Sequence, residues 1–359
     1  MWRLSGSLLN RQSYARRAGS KAIQAPLFQH QHTAHCESGV MSTLLRHHGI
    51  DWDEAMVFGM AAALTFAYIP LVKLGGQPLV AYRMPPKSII RRSCRQLGVR
   101  LHMRRFRSEE AGMAALDAAL ARGELVGLQT SVFWLPYFPE AMRFHFNAHN
   151  LLVYGKEGDD YLISDPVFET VQRCAAADLR RARFAKGALA AKGLMYTLDT
   201  ASLPDVATLD LRPLLRRALL QSVRQMQAPL FFIGVRGIRT VADKLAVLDR
   251  NGSAEAQKQW LGHLVRMQEE IGTGGAGFRY LYAYFLEQAG EALAHPGLLQ
   301  AAQALTDIGD AWRQFASLCV RQCRKPDAAG PATLAAALRD VADREAALWQ
   351  DIRQLAKAL

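Results

Sequence analysis

The spacing of hydrophobic residues changes period several times along this chain. Val40, Met41, Leu44 and Leu45 recur three and four residues apart and are followed by Gly49, which predicts a helix over 37–48. Asp51 and Asp53 can cap a second helix, over 53–66. Residues 87–97 read as a basic helix ending at Gly98, and Val99–Met103 as a strand. A further helix is predicted over 108–122, with Met113, Leu116 and Leu120 on one face. Leu125–Phe133 is poor in charge and reads as a central strand. Leu151–Tyr154 and Tyr161–Ser164 read as two strands of a hairpin turned at Gly155-Lys156-Glu157-Gly158-Asp159-Asp160.

Past residue 200 the strand signal nearly vanishes. Pro204–Thr208 reads as a linker, and 255–271, 277–294, 298–323 and 332–357 all carry helical spacing. The last segment sets Leu334, Leu338, Val341, Leu348, Ile352 and Leu355 along one side. Helices followed by an antiparallel sheet make an α+β fold. The expected organisation is an α+β domain over 28–200 and an α-helical domain over 209–359, preceded by a basic, disordered extension over 1–27. No internal repeat is evident.

Half of the 359 residues are hydrophobic, enough for a large core, and the length suits two domains. No apolar run reaches the roughly 18–20 residues that span a bilayer. The nearest approach, Met56–Leu74, is broken by Pro70 and reads as a buried helix and loop. The net charge is +12. Arg3, Arg11, Arg16, Arg17 and Lys21 stand in an acid-free start, which reads either as an organellar transit peptide or as a disordered extension. Nine cations and no acid lie between Arg83 and Arg107, a composition that favours an acidic partner. Nucleic acid is set aside, because no reader motif and no aromatic interleaving accompany the charge. An acidic carrier protein remains, with Arg91 and Arg92 as candidate docking residues. Cys36, Cys94, Cys174, Cys319 and Cys323 form no CxxC and no disulfide framework, which fits a reducing cytoplasm. Cys319 and Cys323 share a helical face and read as core.

The chemistry centres on Cys36, placed in His35-Cys36-Glu37-Ser38-Gly39 at the start of the first helix. A helix N-terminus favours the thiolate, the nucleophilic form. His149 stands before the strand Leu151–Tyr154, and Asp165 precedes Pro166 at the end of the next strand. Cysteine, histidine and aspartate in that order can serve as nucleophile, base and orienting acid. Each has a plainer reading: a small buried thiol, a core histidine, a turn-starting aspartate. Glu37 reads as a first-turn acid that favours the helix dipole. The loop 134–146, with Trp134, Tyr137 and Phe146, could wall a substrate pocket or pack on the core. The tract His30, His32, His35, Cys36 matches no closed metal site, and no metal is expected. Gly272–Gly277 is not a phosphate loop, since no Gly-Lys-Ser/Thr follows, but it permits close approach of a helix or of a ligand arm.

These residues resemble the papain-like superfamily, and in particular its C39-type branch, with an early Cys, a His-x-x-Val-x-x-Gly strand and Asp-Pro. More closely, the chain resembles the butirosin biosynthesis protein H family. The likeness is carried by His35-Cys36-Glu37-Ser38, by Leu45-Arg46-His47-His48-Gly49-Ile50 with Glu54-Ala55-Met56-Val57-Phe58-Gly59, and by Gly272-Thr273-Gly274-Gly275-Ala276-Gly277-Phe278-Arg279. It extends over residues 28–295. The resemblance implies a papain-like domain and a cysteine acyltransferase of natural-product, including antibiotic, biosynthesis. Such an enzyme takes an acyl group from an acyl carrier protein thioester and passes it to a small-molecule amine. It implies no cofactor beyond the carrier's phosphopantetheine arm, and it maps Cys36, His149 and Asp165 onto nucleophile, base and orienting acid. The alternatives are a cysteine hydrolase (peptidase, thioesterase or amidase), or a non-catalytic scaffold that binds a carrier protein. Papain-like enzymes take an oxyanion donor from a glutamine shortly before the cysteine. Here that position is His30, flanked by Gln29 and Gln31, so Gln31 and His30 are both candidates.

Overall fold

The computed structural model describes residues 23–24, 28–74, 76–248, 253–325 and 330–359. Apart from 23–24, the extension expected over 1–27 lies outside the described residues. The first helix, α1 (Cys36–His47), begins where extended His35 accepts the Ser38 N–H on its side chain. Asp53 caps α2 (Glu54–Met60), its Oδ1 accepting the Met56 N–H at 2.9 Å.

The second helix is shorter than its expected span. After Ala62 the chain becomes β2 (Leu64–Leu74), paired antiparallel with β3 (Gln77–Arg83). Met56–Leu74 is thus helix then strand, not helix and loop. Thr65, Phe66, Tyr68, Ile69 and Val72 are β-branched or aromatic and suit a strand. Pro70 falls in the irregular stretch of the pairing between Ile69 and Lys73, where a missing N–H is tolerated.

The basic helix α3 (Ser88–Leu97), β4 (Leu101–Arg104), α4 (Glu109–Ala121), β5 (Val126–Thr130), β6 (His149–Glu157) and β7 (Asp160–Ser164) follow. Then come β8 (Gln172–Ala175), α5 (Ala176–Phe184) and β9 (Met195–Leu198), short elements that the spacing did not announce. The main sheet is antiparallel, in the order β4-β9-β5-β6-β7-β8, with β1 (Ile23–Gln24) on the far end of β6. Register carries the functional consequence. His149 pairs with Thr130 at the start of β6, and Leu152 pairs with Ser164 at the end of β7. Asp165 therefore leaves the sheet beside His149.

Among the described residues six α-helices follow: α6 (Leu211–Met226), α7 (Gly234–Ala246), α8 (Ala254–Glu269), α9 (Arg279–Ala292), α10 (Pro296–Arg324) and α11 (Gly330–Ala358). Leu44 of α1, Phe58 of α2, Phe66 and Tyr82 of the hairpin, and Leu219, Phe285, Trp312 and Trp349 of the helices belong to one buried cluster. The first two helices and the β2–β3 hairpin thus share their core with the helical half. Strand β2 also meets the segment before α7, where Tyr68 N–H donates to Phe232 O at 2.9 Å. A second cluster, with Leu116, Leu128, Leu151, Ile163 and Leu179, lies between the main sheet and α4 and α5. Deep in the helical half, Arg279 and Glu345 are fully buried and paired at 2.9 Å. Trp312 and Trp349 add their indole N–H groups to that carboxylate, which satisfies an otherwise costly buried charge. Among the described residues no helix is long and apolar enough to cross a membrane.

Candidate active site

Cys36 opens α1 and is nearly buried. The segment that delivers it is pinned from α2. Glu54 accepts the backbone N–H groups of Ala34 at 2.8 Å and His35 at 2.7 Å, and the Ser38 hydroxyl at 3.1 Å. Burial pushes the Glu54 carboxyl up to about 6, against the pull of those hydrogen bonds. Burial, then the charges of Arg83 and His149, hold His35 well below the usual histidine range. It stays neutral and can accept from Ser38 N–H.

His149 Nε2 lies 2.7 Å from Asp165 Oδ2, and both side chains are buried. Cys36 lies close enough to act on the charge of the His149 ring. Nε2 is taken by the carboxylate, which leaves Nδ1 for the sulfur. Burial opposes a charged imidazole here, but Asp165 and Cys36 outweigh it and push His149 up to about 10. At neutral pH the ring is therefore protonated, the partner that a thiolate needs. The structure brings Cys36, His149 and Asp165 together.

Tyr137 holds the far side of this trio. Its hydroxyl donates to Asp165 Oδ2 at 2.9 Å, and Phe138 meets the His149 ring edge-on. The Val167 N–H donates to Asp165 Oδ1 at 3.3 Å. Asp165 is thus fixed by a backbone amide, a phenol and an imidazole. Asn150, which sequence reasoning passed over, lies with Nδ2 4.0 Å from Cys36 Sγ. Its only sequence signal is its place directly after His149.

Several expected roles are corrected. His30 is no oxyanion donor, because its ring nitrogens are engaged by Ser164 Oγ at 2.7 Å and Phe168 O at 2.9 Å. Gln31 turns its carbonyl to Ser42 at 3.5 Å, on the second turn of α1 rather than the first. Tyr137 supports Asp165 through its hydroxyl. Phe146 packs against the second core, and exposed Trp134 lies under the Arg181 guanidinium. Arg92 is spent inside the fold, donating to Ala61 O, Ala62 O and Gln225 Oε1. Arg91 stays on the surface. Glu37 is fully buried, bonds Arg83, and accepts the Ile89 N–H at 3.0 Å, which caps the start of α3. Among the described residues no group of three His, Cys, Asp or Glu side chains could hold a metal ion.

The glycine run completes the surroundings. Gly272 and Gly274 lie against Ala34 and His35, and Phe278 meets the His35 ring edge-on at 5.3 Å. The close approach that these glycines permit is made by the segment entering α1.

Comparison with known proteins bears on this geometry. Residues 35–166 match the family described as butirosin biosynthesis protein H, N-terminal. Residues 177–352 match a domain of unknown function, DUF4872. No curated protein is matched by this chain. Among solved structures, it is similar to one described as a C39-like peptidase from Bacillus anthracis, with 11% identity and a TM-score of 0.36. That similarity covers 50% of this chain and 98% of the other. The nucleophile candidate, its histidine and its aspartate all fall within the first match, so the stretch that carries them is similar to the N-terminal region of the butirosin biosynthesis protein H family.

Proposed function

We propose that the protein is a cysteine-dependent acyltransferase that accepts an acyl group from a carrier-protein thioester and passes it to an amine. One observation carries the reading: a helix-start thiol beside a histidine that a buried carboxylate keeps charged. In the first half-reaction the Cys36 thiolate attacks the thioester carbonyl, and a carbon–sulfur bond forms. The carrier's thiolate leaves and takes the proton from His149. In the second, the amine attacks the Cys36 thioester and gives its proton to His149, and the Cys36 thiolate leaves. Asp165 holds the imidazole in place through both. The family's natural-product setting supports a carrier-bound donor, and the exposed basic surface near the site suits an acidic protein.

Incubation with carrier-bound acyl thioesters, followed by intact-protein mass spectrometry, tests this. The expected result is one acyl adduct, on Cys36, that disappears when an amine is added and never forms in Cys36→Ala. Thiol alkylation gives a second arm. Burial pushes Cys94 and Cys174 up to about 12, so Cys36 should react first near neutral pH. An unreactive Cys36, or an adduct that only water discharges, would sink the transferase reading.

A further inference from the structure

We infer that Asn150 supplies the side-chain half of the oxyanion hole, a place that His30 does not fill. The inference rests on the acyl-transfer reading and adds a catalytic residue to it. Asn150 is 2% exposed, and its Nδ2 is the side-chain amide nitrogen held 4.0 Å from the Cys36 sulfur. Which end of the amide faces the sulfur is fixed by its partners. Tyr196 O–H donates to Asn150 Oδ1 at 3.2 Å, and Nδ2 donates to Ala148 O at 3.2 Å. An amide nitrogen has two hydrogens, so one remains for the region around Sγ.

Tyr196 is itself immobilised. It is fully buried and lies flat on Gly127, where any Cβ would come within 2.1 Å of its ring. Gly127 pairs with both Tyr196 and Leu152, so β9, β5 and β6 together aim the amide.

Geometry suits the role. When the thiolate adds to a carbonyl carbon, the oxygen that gains charge sits one atom away from sulfur. A donor at this distance from sulfur can then lie about 3 Å from that oxygen. The Cys36 backbone N–H, which the helix pattern leaves without an acceptor, is available as the second donor. One strand thus presents the base, His149, and the donor, Asn150, as consecutive residues. Both ring nitrogens of His30 are engaged, by Ser164 and Phe168, and the Gln31 carbonyl faces Ser42.

The test separates chemistry that makes an oxyanion from chemistry that does not. S-phenyl thioacetate acylates Cys36 through a tetrahedral oxyanion, whereas iodoacetamide alkylates it by direct displacement. Asn150→Ala is expected to slow acylation about 10²- to 10³-fold while alkylation stays close to wild type. Tyr196→Phe keeps the ring and removes only the bond that orients the amide, and it should slow acylation about tenfold with alkylation again unchanged. If Asn150→Ala fails to fold, the Tyr196→Phe acylation-to-alkylation ratio decides alone. Equal acylation in wild type and variants would overturn the role of Asn150 and leave the acyl-transfer reading standing. Parallel loss of acylation and alkylation would also overturn it, in favour of support for the thiolate. A wild-type Cys36 that alkylates but takes no acyl group would overturn both.

Discussion

Asp165 shows how much one side chain does here. Its carboxylate meets the imidazole at 2.7 Å and is held in turn by the Tyr137 hydroxyl and the Val167 amide. The charge on His149 depends on it, since burial alone would discharge the ring. The folded pKa, about 10, lies above the ordinary 6.5, so the stability from this pair is complete below about pH 6.5. It is lost as pH rises through about 10. Asp165→Asn should therefore lower the thermal midpoint most below pH 6.5, with the deficit vanishing at the alkaline end. It should also slow acyl transfer about 10²-fold, less than His149→Ala, because an orienting group contributes less than the base it orients. Thermal melts across pH, paired with rates, check this. A deficit that grows toward alkaline pH would show that the carboxylate does not govern the charge on His149.

Elements set the distance across which those side chains meet. Helix α1 carries the nucleophile, and the turn after β7 carries Asp165. The two are locked together where Thr33 N–H donates to Pro166 O at 2.7 Å. At that crossing α1 presents Gly39. A Cβ there would stand 2.0 Å from Thr33 Oγ1 and 2.7 Å from Pro166 Cβ, both on short, stiff side chains. Gly39→Ala should therefore push the Asp165 turn off the helix. The expected cost is about 1–3 kcal/mol of stability, the usual scale of overpacking. A fall in the acylation rate should accompany it, since small displacements of a catalytic group are expensive. A Gly39→Ala protein with wild-type melting and rate would mean that this crossing does not set the site.

At the scale of the whole molecule, charge and core divide the basic stretch 83–107 into two kinds of residue. Arg92 belongs to the interior, bridging α2 to Gln225 of α6. Arg91 and Arg105 are exposed, and with burial they depress the pKa of Lys87, which places the three cations in one field. Lys87 also feels Glu37, the residue after the nucleophile, so this field lies beside the start of α1. An acidic carrier docked there would bring its thioester toward Cys36. Charge reversal at Arg91 and Arg105 should cut transfer from a carrier-bound donor about tenfold and spare a small free thioester. Salt should imitate it, because exposed charges are screened within about 10 Å at 0.1 M. Arg92→Glu should instead lower stability and both rates together. Equal loss with both donors in the Arg91/Arg105 variant, or a rate indifferent to salt, would rule out docking at this surface.

Much of this was legible in the chain itself. The start of α1, its cysteine, the long C-terminal helices, and the strands before His149 and Asp165 all follow from local signals: caps, glycine stops and the period of hydrophobic residues. Such signals act over a few residues and survive in a sequence read alone. The tertiary structure decided the rest. Residues 64–74 could lie as helix or strand by composition, and pairing with 77–83 settles it. The fate of Arg92 depends on Gln225, that of Tyr137 on Asp165, and that of the glycine run on Ala34 and His35. Asn150 gains its position from Tyr196, two strands away. In each case the partner is far along the chain, and its burial against a shared core, rather than any local preference, fixes what the side chain can touch.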